Sequence, residues 1–487
     1  MDRPLLLRAR PIRASAHHIH ARGEALTPLL AGITAYVVLQ LVIGVVASRR
    51  ITTEDDYLVA GRSLGPVLAT FTVFATWFGA ESLISAAGSI YNDGLSGGSA
   101  DPFGYGVCIV LTGLLLAIPL WRLKLTTLAD LFRIRFDPVV ERIAVVLMVP
   151  TSVFWAAAQV RAFGQVLSAA SGFEVEVAVT LAAAIVIAYT IFGGLLADAW
   201  TDLVQGISLL VGLGAMFVAV VRAEGFATLA AVDPTMFRPL GDGSRPVLAI
   251  VEDWAIPVVG SLVAAEVVAR MIAARSPRIA RNATVVAGCA YLLIGLVPVV
   301  LGLMGSVLVP DLTESEQILP VLADRYLPTF LAVMFSGALV SAILSTVDSA
   351  LLVAAGLVSH NVVVQLRPGM TDRQKVRVAR TFVAVFGILA YLMAFRAERI
   401  YELVEQASAF GSSGIVVVVM FGLFTRFGDA RSAVAALLVG VGSWMVGAYV
   451  LDLPYPYLTS LAMATLAYVV PAVLMPAEVP VLEPIEA

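Results

Sequence analysis

Charge is what this sequence has least of. Of its 487 residues only 14% are Asp, Glu, Lys or Arg, whereas 60% are hydrophobic, and soluble domains carry roughly a quarter charged. Mean hydropathy is +0.93. No stretch is polar enough to form a separate soluble domain, because apolar runs recur from residue 28 to residue 476. Cysteine is almost absent: Cys108 and Cys289 both lie in apolar segments. That excludes a disulfide framework and fits two buried small hydrophobes. The histidines are His17, His18, His20 and His360, none of them in mid-span, which argues against a histidine proton relay. Strand signals are missing, and an open sheet could not satisfy its backbone in lipid. There is no HExxH, GxSxG or Walker loop, and no nucleophile–base set for an intramembrane enzyme. The short loops leave no room for an ATPase or kinase domain, and no basic stripe offers itself to nucleic acid.

What is present is a succession of membrane spans. A spanning helix needs about 20 apolar residues. Thirteen stretches qualify: near 28–48, 65–90, 102–121, 143–170, 176–195, 201–221, 247–272, 283–307, 328–358, 380–397, 404–425, 432–451 and 456–476. The fold class is therefore an all-α polytopic membrane protein, multi-pass in a plasma (inner) membrane. Residues 26–478 form one membrane domain, between a basic tail at 1–25, disordered or not native, and a short tail at 479–487. Arginine and lysine concentrate in alternate loops: at Arg49, Arg50 and Arg62, at Arg122 to Arg142, at Arg270 to Arg281, at Arg367 to Arg380, and at Arg426 and Arg431. By the positive-inside rule these loops face the cytoplasm, which places the N-terminus outside and the C-terminus inside. The arginines of the tail itself, Arg3 to Arg22, oppose its export.

Three segments hold chemistry that a lipid-facing helix would not carry. The first, ATWFGAES at 75–82, combines Gly79 with Glu81 near mid-membrane. A carboxylate there is expensive and usually functional, and an unwound Ala75–Gly79 would free carbonyls to bind a cation. An intact helix with small residues for close packing is the competing reading. The second, SAILSTVDS at 341–349, places Ser341, Ser345, Asp348 and Ser349 on one helical face, with Thr346 adjacent. Hydroxyls plus a carboxylate are hard oxygen ligands suited to an alkali cation and poorly suited to a transition metal. Interhelical hydrogen bonding is the plainer alternative. In the third, 189–206, Gly193-Gly194 suggests a break, and Asp198 and Asp202 lie near a membrane boundary. Other charges within spans are Arg161, Glu266, Glu402 and Glu405, and Glu266 stands four residues before Arg270, at the spacing of a local ion pair.

These segments occur in the order and spacing of the sodium:solute symporter family, which the chain resembles from about residue 28 to residue 475. The residues that carry the likeness are Asp56-Tyr57-Leu58-Val59-Ala60-Gly61-Arg62-Ser63-Leu64-Gly65, then ATWFGAES, Tyr189 to Leu195 with Trp200-Thr201-Asp202 and Gln205, and Ser345-Thr346-Val347-Asp348-Ser349. The segment ATW, with Phe154-Trp155 and the alanines after it, resembles the choline-transporter branch and its bacterial relatives. The resemblance implies a leucine-transporter-type bundle, two inverted halves built from the second to eleventh spans, worked by alternating access on a sodium gradient. It implies a sodium site of the Ala75, Phe78 and Ala342 carbonyls with the Ser345 and Thr346 hydroxyls. A second site, found in some members, would use Asp202, Ser345, Asp348 and Ser349. Relatives often break the seventh span at a Gly-Gln-Pro, whereas this chain has Val263-Ala264-Ala265-Glu266, with Pro257 and Gly260 the nearest breakers.

No cofactor is expected beyond sodium as coupling ion. Glu81, Glu266 and Glu405, with Trp77 and Trp155, compose an aromatic and acidic site for an organic cation, where cation–π contacts help. Amino acids and short carboxylates remain open, with Arg161 as a carboxylate partner. A symporter-like membrane sensor is a further alternative, one that would act through a separate signalling partner.

Overall fold

Hydrocarbon offers no hydrogen bonds to a backbone, so a chain this apolar has to pair its peptide groups within its own helices. The computed structural model does this. It describes residues 17–49, 51–241, 243–396 and 407–476. Eighteen helices are named here in chain order: α1 His17–Ser48, α2 Glu54–Val59, α3 Pro66–Trp77, α4 Ala86–Asp93, α5 Tyr105–Leu115, α6 Ala117–Arg122, α7 Ala129–Arg135, α8 Pro138–Ser171 and α9 Val175–Glu224, followed by α10 Val247–Ala255, α11 Ala265–Ala273, α12 Pro277–Leu308, α13 Ile318–Tyr326, α14 Thr329–Val358, α15 Asp372–Arg396, α16 Ser412–Phe424, α17 Ala430–Tyr449 and α18 Pro456–Leu474. Among the described residues there is no strand, only one isolated bridge between Leu64 and Ala274.

Among the described residues ten helical runs are long and apolar enough to cross a membrane, and Leu30–Val46 and Pro66–Trp77 are shorter apolar helices. The expected count of thirteen is therefore not reproduced as such, because helices join and break where the sequence marked single spans. The stretch 65–90 is divided between α3 and α4. The stretches 176–195 and 201–221 run on as α9, whose 50 residues would reach about 75 Å if straight, well over twice a bilayer's apolar core. It is not straight. Gly194 has φ 60° and ψ 170°, and the Tyr189 hydroxyl reaches Thr201 Oγ1 at 2.7 Å across twelve residues that a straight helix would spread over about 18 Å. The chain turns back at this glycine.

Local sequence explains the helix starts. Asp137 caps α8 by accepting from the N–H groups of Val139 and Val140 at 2.7 and 2.9 Å, with Pro138 in the first turn. Thr53 and Asp56 cap α2 reciprocally. Between α2 and α3, Ala60, Gly61 and Arg62 all take φ near +50°, so Arg62 turns back to donate to the carbonyls of Ile272, Lys124 and Leu125.

The loops at 49–65, 122–137, 274–276, 359–371 and 425–429 therefore meet at one end of the bundle, the end that carries most of the arginines. Trp121 Nε1 donates to the Ala274 carbonyl at 2.7 Å. Asn361 bridges Asp130 and Glu141, at 2.7 Å to each. His360 and Lys375 both contact Glu54. Burial works to raise these carboxyls, but His360 and Lys375 hold Glu54 below the usual range. His360 and the N–H groups of Thr127 and Thr126 hold Asp130 down at about 2.

The core lies where α8, α9, α14 and α3 pack together. Large apolar side chains such as Val146, Leu293, Phe330 and Leu474 are exposed on the perimeter, as lipid-facing residues are. Cys108 is buried as expected, but Cys289 faces outward from α12. Residues 1–16 of the N-terminal tail, and the C-terminal tail at 479–487, lie outside the described residues.

Gly194 lies in a region of backbone space open essentially to glycine alone, at a cost of about 1–3 kcal/mol for any other residue. A methyl there would also meet Tyr57 Cδ2 at 2.8 Å and the Tyr57 carbonyl at 3.1 Å. Gly194→Ala should lower the thermal midpoint in detergent markedly, whereas Gly214→Ala, where nothing lies within 4 Å of the added atom, should leave it almost unchanged.

Candidate functional site

The α3 helix stops inside the core. Phe78 makes the helix's last regular bond, its N–H donating to the Phe74 carbonyl at 2.9 Å, but its own backbone leaves the helix at φ −87° and ψ 71°. The carbonyls of the last turn, Ala75 to Phe78, thus end the ladder with no helix ahead of them. The chain resumes through a wide turn at Glu81–Ser85 and enters α4. Gln159 of α8 pins the break from the side. Its Oε1 accepts from the Ala80 N–H at 3.0 Å, and its Nε2 donates to Glu81 Oε2 at 2.6 Å. The expected unwinding at Ala75–Gly79 is thus centred on Phe78 and Gly79. A second interruption separates α10 from α11 at residues 261–264, directly after Gly260 and before Glu266.

The hydroxyl face of α14 lies against the first break. Ser341, Ser345, Thr346, Asp348 and Ser349 are all buried. Thr76 Oγ1 and Ser349 Oγ stand 3.3 Å apart. Thr346 Oγ1 donates to the Ala342 carbonyl at 3.1 Å and lies over Gly79. Ser345 donates to Asp202, which also accepts from Thr72. The structure sets the Thr346 hydroxyl, bonded to the Ala342 carbonyl, against Gly79, directly after the end of α3 that carries the Ala75 and Phe78 carbonyls, while Ser345 faces Asp202. The chemistry of this set suits an alkali cation. Among the described residues no three of His, Cys, Asp and Glu converge as a metal group would.

The set of Asp202, Ser345, Asp348 and Ser349 is different, because a cation already belongs to it. Arg270 of α11 is wholly buried, with 0% of its surface exposed, and its Nη2 donates to both Asp198 and Ser349. The local pair expected between Glu266 and Arg270 does not form between side chains: Arg270 touches only the Glu266 carbonyl, at 3.3 Å, and spends its charge on α9. Asp348 accepts from the Ser349 N–H at 2.8 Å. Asp198, read from sequence as a boundary acid, is instead 4% exposed and ion-paired.

Along α8, Ser152, Trp155 and Gln159 share one face. Trp155 meets Trp77 and Tyr105, with ring centroids at 6.3 and 5.9 Å, and Trp77 meets Tyr105 edge-on at 5.4 Å. Ser152 donates to Glu266 Oε1 and Gln159 to Glu81 Oε2, so a carboxylate stands about one turn to either side of the rings. Arg161, further along α8, has a buried Nε with no hydrogen-bond partner among the described residues. Glu405 lies outside the described residues. Sequence reasoning missed Tyr105 and Gln159, and took Arg270 only as a local partner of Glu266. Gln159 had a signal, an amide directly after a run of three alanines, on the Trp155 face. Tyr105 had none, and nothing in the sequence pointed Arg270 toward α9, since only the fold brings α5 and α11 to these places.

Comparison with known proteins gives a consistent picture. The model of the sodium:solute symporter family matches residues 57–440, a shorter stretch than the 28–475 over which the sequence resembles it. A Caenorhabditis elegans high-affinity choline transporter 1 is 28% identical over 77% of this chain and 70% of its own. The human high affinity choline transporter 1 is 26% identical over 89% and 78%. The Escherichia coli sodium/pantothenate symporter is 25% identical over 92% and 96%. Among solved structures, a Na+-coupled sialic acid symporter in a substrate-bound outward-open state superposes with TM-score 0.81 at 20% identity, covering 94% of this chain and 99% of that one. A nucleobase-cation-symport-1 family transporter with bromovinylhydantoin bound gives 0.59 at 16% identity, over 87% and 95%. These likenesses establish the leucine-transporter-type fold.

Breaking a buried ion pair by removing one partner costs about 3–5 kcal/mol, because the other charge stays behind in a dry site. Arg270→Met should therefore lower the thermal midpoint sharply. Arg270→Met combined with Asp198→Asn should recover most of that loss in the same detergent melt, as a double-mutant cycle of directly contacting residues requires.

Proposed function

The chain belongs to the sodium:solute symporter family, as an integral multi-pass membrane protein coupling solute movement to sodium, and we propose that its solute is a small organic cation and that one sodium ion drives each cycle. The observation that carries the solute class is the trio Trp77, Tyr105 and Trp155 with Glu81 and Glu266 about one turn to either side. Ring faces attract a quaternary or tertiary ammonium where water is excluded, and the flanking carboxylates set the sign of the local field. The worm and human relatives are named for choline, a quaternary ammonium. The bacterial relative is named for pantothenate, a carboxylate. The unpartnered Nε of Arg161 favours an anion of that kind as the second reading.

The sodium lies between the α3 break and α14, on the carbonyls of Ala75, Phe78 and Ala342 and the hydroxyls of Ser345 and Thr346. Its neighbours Asp202, Asp348 and Ser349 do not take a second sodium, because the guanidinium of Arg270 supplies the positive charge there and uses Ser349 itself. The end of the bundle that collects the arginines faces the cytoplasm. The C-terminal helix ends on that side, where Met475 Sδ lies 3.5 Å from Arg431 Nη1, and α1 begins on the other.

Two measurements test this. In a thermal-shift panel of solutes run in sodium and in potassium, quaternary and tertiary amines should stabilise the protein in sodium alone, and hits confined to carboxylates would establish the second reading instead. In reconstituted vesicles, uptake should follow sodium with a Hill coefficient of about 1 and vanish in Ser345→Ala with Thr346→Ala while the protein still inserts. A coefficient near that of two ions would remove the assignment of Arg270, and sodium dependence unchanged by the double substitution would remove the site.

A further inference from the structure

We propose that Glu81 is itself a ligand of the sodium ion, so that the site at the α3 break holds its cation with a carboxylate as well as with carbonyls and hydroxyls. This rests on the sodium-symport reading and adds a charged residue to it. Glu81 is 3% exposed. Its Oε2 is used by Gln159, but its Oε1 is buried with no hydrogen-bond partner. A buried carboxylate oxygen left unpaired is costly, so the site calls for a group that is not part of the chain.

The geometry says where that group sits. A methyl placed on Gly79 would meet the two Glu81 carboxylate oxygens at 2.7 and 2.8 Å and Thr346 Oγ1 at 2.7 Å. Three oxygens, two from the turn after the break and one from α14, therefore converge on the space that glycine leaves empty. Thr346 gives its proton to the Ala342 carbonyl, so it turns lone pairs, not a donor, toward Glu81. Acceptors facing one another across a buried gap repel unless a cation stands between them. Thr346 is one of the hydroxyls of the main sodium site, so the cation that resolves this repulsion is the one already placed there. Asp101, the other acid nearby, uses its Oδ2 to accept from Ser82 and Tyr291 at 2.9 and 2.7 Å, and it is not among the atoms that a methyl on Gly79 would meet first. The break at Gly79 thus does two things: it frees carbonyls, and it clears the room through which Glu81 reaches α14.

The test is equilibrium binding of radioactive sodium to purified protein without solute. The wild type should bind saturably, and Ser345→Ala with Thr346→Ala should abolish binding. Glu81→Gln keeps the shape and the bond to Gln159's side of the site but removes the charge, and should raise the dissociation constant by about tenfold or more. Gly79→Ala keeps the carboxylate but fills the cradle, and should weaken binding comparably. Glu81→Asp retains the charge on a shorter stem and should fall between, which keeps the assignment testable if the glutamine variant folds poorly. Saturable wild-type binding matched within about twofold by Glu81→Gln would overturn the role of Glu81 alone. A wild type that binds no sodium would overturn the symport reading, and this inference with it.

Discussion

A peptide group in hydrocarbon has no water to fall back on, yet this chain interrupts two helices in the middle of the membrane. Everything around the site follows from meeting that demand. The break at Phe78–Gly79 survives because Gln159 catches the Ala80 N–H on one side and Ser82 returns its hydroxyl to the Trp77 carbonyl on the other, at 3.2 Å. What remains unsatisfied is not spread over the break. It is gathered as oxygen, on the side that faces α14. An unwound helix that offered free N–H groups there would invite an anion. This one offers carbonyls and a carboxylate, a set whose chemistry suits a cation.

The same constraint explains how much could be read beforehand. The break was legible because Gly79 and Glu81 are anomalous inside an apolar run, and the α14 stripe was legible because its hydroxyls recur at helical spacing. The turn at Gly194 was marked by its glycine pair. What could not be read was partnership. Glu266 and Arg270 stand at ideal spacing for a local pair, and the structure separates them because Arg270 gains more from Asp198 and Ser349 than from a neighbour that Ser152 already serves. Periodicity places a side chain on a face of its own helix. It says nothing of which helix lies opposite, and so it missed Tyr105 from α5 as well.

Arg270 also changes the meaning of the acids around it. The family resemblance puts Asp202 and Asp348 in a second sodium site, and the sequence reads Asp198 as an acid near a membrane boundary. In the fold, a guanidinium is tethered among them by α11, the segment that follows the second helix break. A tethered cation cannot leave with the solute, so it contributes a fixed charge rather than a transported one. It also ties α11 to α9 and α14, and any rocking of the two inverted halves has to carry or release that tie.

Coupling between ion and solute then has a short physical path. The Ala75 and Phe78 carbonyls that would face the sodium, and the Trp77 ring that would face the solute, belong to the same last turn of α3. Glu81 and Trp155 are joined through the α8 face that carries Gln159. Sodium that fixes the break therefore also fixes one wall of the aromatic cluster, and solute held by those rings favours the backbone geometry that sodium requires. The two affinities must rise together by the same factor, since linkage is reciprocal. No signal has to cross the bundle for that to happen. The ligands need only share a single turn of helix that can be ordered or not, and the broken α3 provides it.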